Sequence, residues 1–277
     1  MNLEEVKEVI AIIKERTKKN AFSLVINKEK QPGIFDSKIG GVPYWDCNKE
    51  YPKDRFGESL ILLAQINLDA IDEMSDLPQS GMLQFFIGND DVYGLDFDEQ
   101  DKQDTFRVIY HETIDYKITL DEILTLGIPT CTDEEMETPV FKEGALDIFS
   151  KEIYMGERDY RFESLFLEIA SDKFSIVKDG ESLYSLLDDE QSDYIVNELS
   201  NTEHWLLGYP FFTQNDPRDY TEKYRYYDTM LFQLDSDYSD NMDYVLWGDC
   251  GVANFFINSE DLKNKNFSRV LYNWDCC

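Results

Sequence analysis

The chain has 277 residues, of which 42% are hydrophobic and 14% aromatic, and it carries a formal net charge of −31 at pH 7. A hydrophobic fraction of this size supports a packed core and excludes a disordered chain despite the charge. The acidic surface argues against nucleic acid and anionic membranes as partners, because like charges repel, and it favours basic partners.

The first half of the chain is predicted to begin with a helix and to continue as strands. Apolar residues recur at helical spacing over residues 2–19, where Asn2 and Glu5 are placed to form a capping box. Residues 89–104 form an acidic segment that we expect to be a loop outside the core, so that its deletion leaves the fold intact. Strands are predicted at residues 21–27, 59–67, 82–87 and 106–111, with one or two helical turns at 68–74.

The second half is predicted to contain more strands than helices. Strands joined by short turns predict an α+β fold rather than alternating βαβ units. Strands are predicted at residues 145–155, 161–169, 229–235, 244–247, 252–257 and 268–273, with helices at 181–199 and 259–263.

Four short segments occur twice in the same order, which predicts an internal duplication. We therefore expect two pseudo-symmetric mixed α/β repeats, at about residues 21–113 and 203–277, that share one core in a single domain, residues 1–277. A connecting segment at about 114–202 shows no repeat. Gln65 and Gln233 fall at equivalent positions, and we expect each to hold the Gly-Pro loop of its own half. The matched segments are 39–44 with 207–211, 62–67 with 230–235, 81–87 with 251–257, and 107–110 with 269–272.

The cellular location is predicted to be the cytoplasm. No stretch approaches the roughly 18 consecutive apolar residues of a membrane-spanning helix. The segment from Met1 to Val6 carries acids where a signal peptide has basic residues. The cysteines have no regular spacing, so we expect reduced thiols at Cys47, Cys131, Cys250, Cys276 and Cys277.

No recognisable motif identifies a catalytic site. The chain lacks a phosphate-binding glycine loop, a Gly-x-Ser-x-Gly nucleophile elbow and a dinucleotide fingerprint. An enzyme, most simply a hydrolase, is kept as an alternative with its site in a cleft between the repeats. The candidate cleft residues are His204, Asp235, Asp237, Trp247 and Asp249.

A calcium-binding structural protein is a further alternative. Asp235, Asp237 and Ser239 resemble the first half of an EF-hand loop. Asp240 occupies the position that needs glycine, and Leu246 falls where the bidentate glutamate belongs. We therefore predict no cofactor or metal, and keep calcium only as the alternative.

The acidic surface is the main indication of function. With no catalytic motif, it favours a protein-interaction module that binds a basic protein, rather than an enzyme. We expect the acidic segment to provide the contacts, because inserted loops often carry binding residues. The predicted contact residues are Asp96, Asp98, Glu99 and Asp101.

Several segments together carry a family resemblance: residues 40–43, 63–67, 204–210, 233–237, 247–251 and 267–277. With these segments the chain resembles the YwqG-like family of uncharacterised bacterial proteins over nearly its whole length. The resemblance implies an α+β cytosolic bacterial protein, and it implies no catalytic residues because the family has no established activity. Some relatives are thought to be encoded near polymorphic toxins, which adds a toxin-immunity role to the partner-binding hypothesis.

Overall fold

A computed structural model describes residues 1–71, 76–133, 136–175, 183–237 and 244–277. The helices in these ranges are α1 (Leu3–Thr17), α2 (Leu120–Leu124), α3 (Phe162–Phe174), α4 (Asp189–Leu199), α5 (Pro217–Tyr220) and α6 (Ser259–Lys263). The strands are β1 (Lys19–Asn27), β2 (Lys38–Ile39), β3 (Ile61–Asn67), β4 (Met82–Ile87), β5 (Phe106–His111), β6 (Gly144–Ile153), β7 (His204–Leu206), β8 (Thr229–Asp235), β9 (Val252–Ile257) and β10 (Val270–Asp275).

One antiparallel sheet contains all ten of these strands, in the order β10-β9-β8-β7-β1-β6-β2-β3-β4-β5. The central pair is β1 and β6, so β2–β5 form one arm of the sheet and β7–β10 form the other. The sheet curls until the arms face each other: Phe85 of β4 stacks on Phe232 of β8 with ring centroids 4.4 Å apart. At the ends of the arms, the ring centroids of Phe106 in β5 and Tyr272 in β10 lie 5.1 Å apart. The result is a mixed α+β fold around a nearly closed, barrel-like sheet.

The N-terminal helix and its capping box are confirmed. Asn2 Oδ1 accepts the backbone N–H of Glu5 at 3.0 Å, and Glu5 Oε2 accepts the backbone N–H of Asn2 at 2.8 Å. The buried face of α1 joins the main core, and its exposed face forms ion pairs with α3 and α4 through Arg16 and Lys14. No helix in the described ranges combines the length and the apolar character that a bilayer span requires.

Gln65 and Gln233 hold the Gly-Pro loops of their own arms, as expected. Each side-chain carbonyl accepts a backbone N–H from its loop, and each amide nitrogen donates to two backbone carbonyls just before that loop. Both glutamines are fully buried and directly follow an irregularity in strand register, at residues 62–64 in β3 and 230–232 in β8. The partners are Tyr44, Ile34 and Asp36 for Gln65, and Phe211, Asn201 and Glu203 for Gln233.

Residues 162–169 are helical, so the strand predicted at 161–169 is wrong. Phe162, Phe166, Ile169 and Ala170 are buried in α3 at intervals of four, three and one residues, which is one face of a helix. A short apolar run is compatible with the period of a helix and with that of a strand. Here the segment packs against α1, which favours the helix. The strand predicted at 244–247 is also wrong, because only an isolated bridge between Val140 and Val245 forms there.

Residues 89–104 contain no helix or strand, as expected, but the expectation that they lie outside the core is wrong. Leu95 is 5% exposed and belongs to the main core. The backbone carbonyl of Gln100 accepts the Tyr272 N–H of β10 at 3.0 Å. Gln103 Oε1 accepts the Val108 N–H of β5 at 2.7 Å. The segment thus fills the seam between the two edge strands, and we call it the seam loop.

Candidate functional site

Three of the predicted cleft residues, His204, Asp235 and Asp237, line one cavity of about 450 Å³. The cavity lies at one end of β1, β7 and β8, because antiparallel pairing brings the end of one strand beside the start of the next. Apolar residues of β1 form part of its wall, and Lys28 and Lys151 supply positive charge.

His204 is neutral at physiological pH. Burial lowers its pKa to about 4, and the nearby charge of Asp237 opposes this shift only in part. The Nδ1 atom accepts the backbone N–H of Asp235 at 3.0 Å, so the neutral ring carries its proton on Nε2. An imidazole with this arrangement serves as a buried hydrogen-bond acceptor rather than as a general base through Nδ1.

Asp235 and Ser236 are also committed to backbone contacts. Burial raises the pKa of Asp235 to about 6, although its carboxylate accepts the N–H groups of Glu203 at 2.9 Å and Ser236 at 2.8 Å. The Ser236 hydroxyl donates to the carbonyl of Gly251 at 2.7 Å and accepts the N–H of Trp247 at 3.0 Å. Histidine, aspartate and serine therefore meet here without the hydrogen-bond relay that activates a nucleophile.

The other two predicted cleft residues lie elsewhere. Trp247 is fully buried, with its ring 5.6 Å from that of Tyr93. Asp249 is exposed and precedes Cys250, whose Sγ lies 3.4 Å from Cys277 Sγ. Neither lines the cavity of His204.

The calcium alternative draws on a segment that lies partly outside the described residues. Ser239 and Asp240 lie outside the described residues, and Asp235 uses its carboxylate oxygens for the two backbone contacts above. Within the described ranges, no group of three or more His, Cys, Asp and Glu side chains is arranged to hold a metal ion.

Three of the four predicted partner contacts in the seam loop are paired within the chain. Asp98 is the exception, since it is exposed and forms no ion pair with a described residue. The hydrogen bond from Arg55 lowers the pKa of Asp96, and Asp96 also accepts the N–H groups of Asp98 and Glu99. The acids of this loop therefore serve largely to fold the loop. The pairs are Asp96–Arg55 at 3.0 Å, Glu99–Lys102 at 3.3 Å and Asp101–Lys223 at 3.3 Å.

A second acidic surface was not predicted. Asp91, Asp133 and Glu137 line a depression of about 490 Å³ together with Tyr93 and Phe141, and its described lining contains no lysine or arginine. Phe141 is 48% exposed. We call this surface the acidic depression. Its only signal in the sequence is the local acidity of two segments about 40 residues apart. Local acidity does not indicate that two segments lie close together in the fold.

The comparison with known proteins identifies a family but no activity. No curated protein matches the chain. The family match includes β2–β10 and both buried glutamines, Gln65 and Gln233, whereas α1 and β1 precede it. The chain belongs to the family described as a domain of unknown function (DUF1963), which matches residues 37–276.

Proposed function

We propose that this protein is a cytoplasmic protein-interaction module that binds a basic protein. The observation that carries the proposal is the charge balance, with 57 acidic residues against 26 lysines and arginines. If every cation paired with one acid, the chain would still present a net charge of −31. Such a surface accelerates association with a basic partner and opposes acidic ones.

The acidic depression is the surface that suits such a contact best. Its three carboxylates have no cation in the described lining, and the rings of Tyr93 and Phe141 lie beside them. Carboxylates attract lysine and arginine side chains, and aromatic faces add a cation–π attraction. Three of the four seam-loop acids predicted as contacts form ion pairs with neighbouring cations, so we assign these acids a peripheral role in binding. The four are Asp96, Asp98, Glu99 and Asp101.

A toxin-immunity role is the more specific form of this proposal. Its support is the resemblance to the YwqG-like family, some of whose members are thought to be encoded near polymorphic toxins. A nuclease-like toxin is basic because it binds nucleic acid, and an acidic protein would bind it rapidly through complementary charge. Co-expression with a cognate toxin tests this role, and unchanged killing of the host would contradict it.

We also propose that the two arms of the sheet are copies of one ancestral repeat within a single domain, residues 1–277. The proposed repeats cover residues 21–113 and 203–277, and residues 114–202 connect them. The matching hydrogen bonds of Gln65 and Gln233 support this proposal, as do the matching irregularities in β3 and β8. An experimental structure in which Gln65 and Phe86 fail to superpose on Gln233 and Phe256 would contradict it.

The interaction proposal is tested with a defined basic probe. A fluorescein-labelled peptide of alternating arginine and glycine is titrated with the protein, and its anisotropy is recorded at low and high salt. The test variant carries Asp91→Asn, Asp133→Asn and Glu137→Gln. The control variant makes the same change in net charge on exposed positions of α4, through Asp189→Asn, Glu190→Gln and Asp193→Asn.

We expect the wild-type protein to bind at low salt and to release the peptide as salt rises, because exposed charges are screened over about 10 Å at 0.1 M ionic strength. The test variant should bind about tenfold more weakly, which corresponds to about 1.4 kcal/mol, and the control should remain close to wild type. Equal weakening of the two variants would contradict the role of the acidic depression. Absence of wild-type binding at low salt would contradict the proposed function itself.

A further inference from the structure

A polar cavity of about 440 Å³ lies between the seam loop and the segment that follows α5. Gln100 of the seam loop, Thr221 after α5 and Asn273 of β10 contribute to its lining. Among the described residues, its lining shares no member with the acidic depression or with the cavity of His204.

Two largely buried amide side chains each have one polar atom without a partner in the described residues. Gln100 and Asn273 are each 6% exposed, and Gln100 Nε2 donates to Asn273 Oδ1 at 2.7 Å. The remaining polar atoms, Gln100 Oε1 and Asn273 Nδ2, form no hydrogen bond with any described residue. Neither of these two atoms is among the fully buried polar atoms that lack a partner, so both remain accessible to a molecule in the cavity that can form hydrogen bonds.

The backbone holds these two side chains in place. Gln100 donates its backbone N–H to the Tyr224 hydroxyl at 3.1 Å and accepts the Tyr272 N–H at 3.0 Å. Asn273 lies within β10, where it pairs with Asn254 of β9. The donor and the acceptor are thus fixed before a ligand arrives, which lowers the entropy cost of binding.

The charges around the cavity disfavour an anionic ligand. Lys223 is paired with Asp101 at 3.3 Å. The carboxylate of Asp275 accepts hydrogen bonds from Thr213 and Gln214, and burial raises its pKa. Asp98 remains as the one carboxylate of the described lining without a partner, and it would repel an anion. A cation could pair with Asp98, but it would face the Asn273 amide donor.

Two exposed aromatic rings complete the lining. Phe97 is 71% exposed and Tyr220 is 69% exposed, and both line the cavity. Their flat faces suit a ligand that carries C–H groups on one side and polar groups on its edge. A sugar ring has this form, and each of its hydroxyls can donate one hydrogen bond and accept others.

We propose that this cavity binds a neutral saccharide. A sugar hydroxyl accepts from Asn273 Nδ2, a second hydroxyl donates to Gln100 Oε1, and the ring packs against Phe97 or Tyr220. An arginine-bearing peptide is the competing occupant, with Asp98 as its partner, and the experiment distinguishes the two.

The experiment combines a glycan array with saturation-transfer NMR, using glucose, galactose, N-acetylglucosamine and maltose as soluble probes. The variants Phe97→Ala and Tyr220→Ala remove the stacking faces at exposed positions that a folded protein tolerates. Asn273→Asp replaces the donor with an acceptor of the same shape and retains an oxygen for Gln100. Phe56→Ala is the matched control, because Phe56 is an exposed ring (75%) that does not line the cavity.

We expect the wild-type protein and Phe56→Ala to retain a glycan on the array and to show transfer to at least one soluble sugar. Each of the three cavity variants should lose about tenfold in apparent affinity, the effect of one lost contact. Absence of any bound glycan would overturn the proposal, and so would glycan binding that the cavity variants leave unchanged. Binding of an arginine-rich peptide that Asn273→Asp strengthens would assign the cavity to a peptide instead.

Discussion

Gln65 and Gln233 hold two different loops in place with the same set of hydrogen bonds. Each accepts one backbone N–H, from Tyr44 or Phe211, and each donates to two backbone carbonyls. Both side chains are completely buried, so water cannot replace them as partners. Each of these glutamines therefore determines the local fold of one arm.

Replacing either glutamine with alanine is expected to lower the free energy of unfolding by about 2–4 kcal/mol, because several buried backbone groups lose their partner. Urea denaturation of Gln65→Ala and Gln233→Ala measures the loss. Gln79→Ala is the control, since Gln79 is exposed and should change stability by less than about 0.5 kcal/mol. Losses at Gln65 and Gln233 no larger than that of the control would show that the loops do not depend on them.

The seam loop is expected to be necessary for stability. Leu95→Ala should cost about 2–5 kcal/mol because Leu95 is 5% exposed in the main core. Replacement of residues 89–104 by a short Gly-Ser linker should cost more, since Tyr272 and Val108 would also lose the acceptors for their N–H groups. Thermal unfolding compares both with Asp91→Asn, an exposed control in the same loop. A loop-deleted protein as stable as the control would contradict the role of the seam loop.

Stability should decrease as the pH falls below about 6.5, the ordinary pKa of histidine. Burial lowers the pKa values of His111 and His204 to about 4. The unfolded chain therefore binds protons on these groups at a higher pH than the folded protein does. Asp235 has the opposite effect, because its pKa is raised to about 6 and the folded protein holds this proton more tightly. Between about pH 4 and 6, the proton that the folded protein retains on Asp235 thus offsets the loss of stability caused by one of the two histidines.

Denaturation at a series of pH values between about 4.5 and 6 separates these contributions. His111→Gln should flatten the dependence of unfolding free energy on pH by up to about 1.4 kcal/mol per pH unit, the effect of one proton. Asp235→Asn should steepen it by a similar amount. Only the slopes are compared, so a general loss of stability in either variant does not affect the result. Slopes equal to that of the wild type would contradict these protonation states.

Cys250 and Cys277 are expected to form a disulfide under oxidation. Their Sγ atoms lie 3.4 Å apart. Asp275 of β10 pairs with Val252 of β9, and if this antiparallel register is continued by two residues beyond the strand ends, Cys277 lies opposite Cys250. Hydrogen peroxide would take one hydrogen from each thiol, so that the two sulfurs join in a disulfide bond and the peroxide is reduced to two water molecules. Mildly alkaline solution should favour the reaction, because the neighbouring thiol of Cys277 raises the pKa of Cys250.

Peptide mass spectrometry of the oxidised protein should find Cys250 linked to Cys277, and Cys250→Ser should abolish this link. Cys131 is buried and should remain reduced. Exclusive linkage through Cys276, or between two molecules, would contradict the arrangement of the two thiols.

The ends of four strands could be predicted from the sequence to the residue. The ends of β4, β5, β8 and β9 are confirmed, because each apolar run ends at polar or glycine residues and both faces of the strand are buried or half-buried. The short strands β2 and β7 were not predicted. They have two and three residues, and each is held between two longer strands, β2 between β6 and β3 and β7 between β1 and β8.

The candidate site was predicted only in part. His204, Asp235 and Asp237 do line one cavity, because they stand at strand ends that antiparallel pairing brings together. The ion pairs between the seam-loop acids and distant cations could not be predicted. Asp96 pairs with Arg55 and Asp101 with Lys223, and these residues are 41 and 122 positions apart in the chain. Charge pairs over such separations depend on the tertiary fold and leave no local pattern.

The central claim is that the acidic surface recognises a basic partner, and affinity purification from the native host tests it most directly. The tagged wild-type protein and the variant with Asp91→Asn, Asp133→Asn and Glu137→Gln are incubated with extract at about 50 mM and about 500 mM NaCl, since salt screens such contacts. We predict that the wild type retains a defined basic protein at low salt, that high salt releases it, and that the variant retains much less. Retention of acidic or neutral proteins only, or of a partner that salt and the substitutions leave unaffected, would contradict the claim.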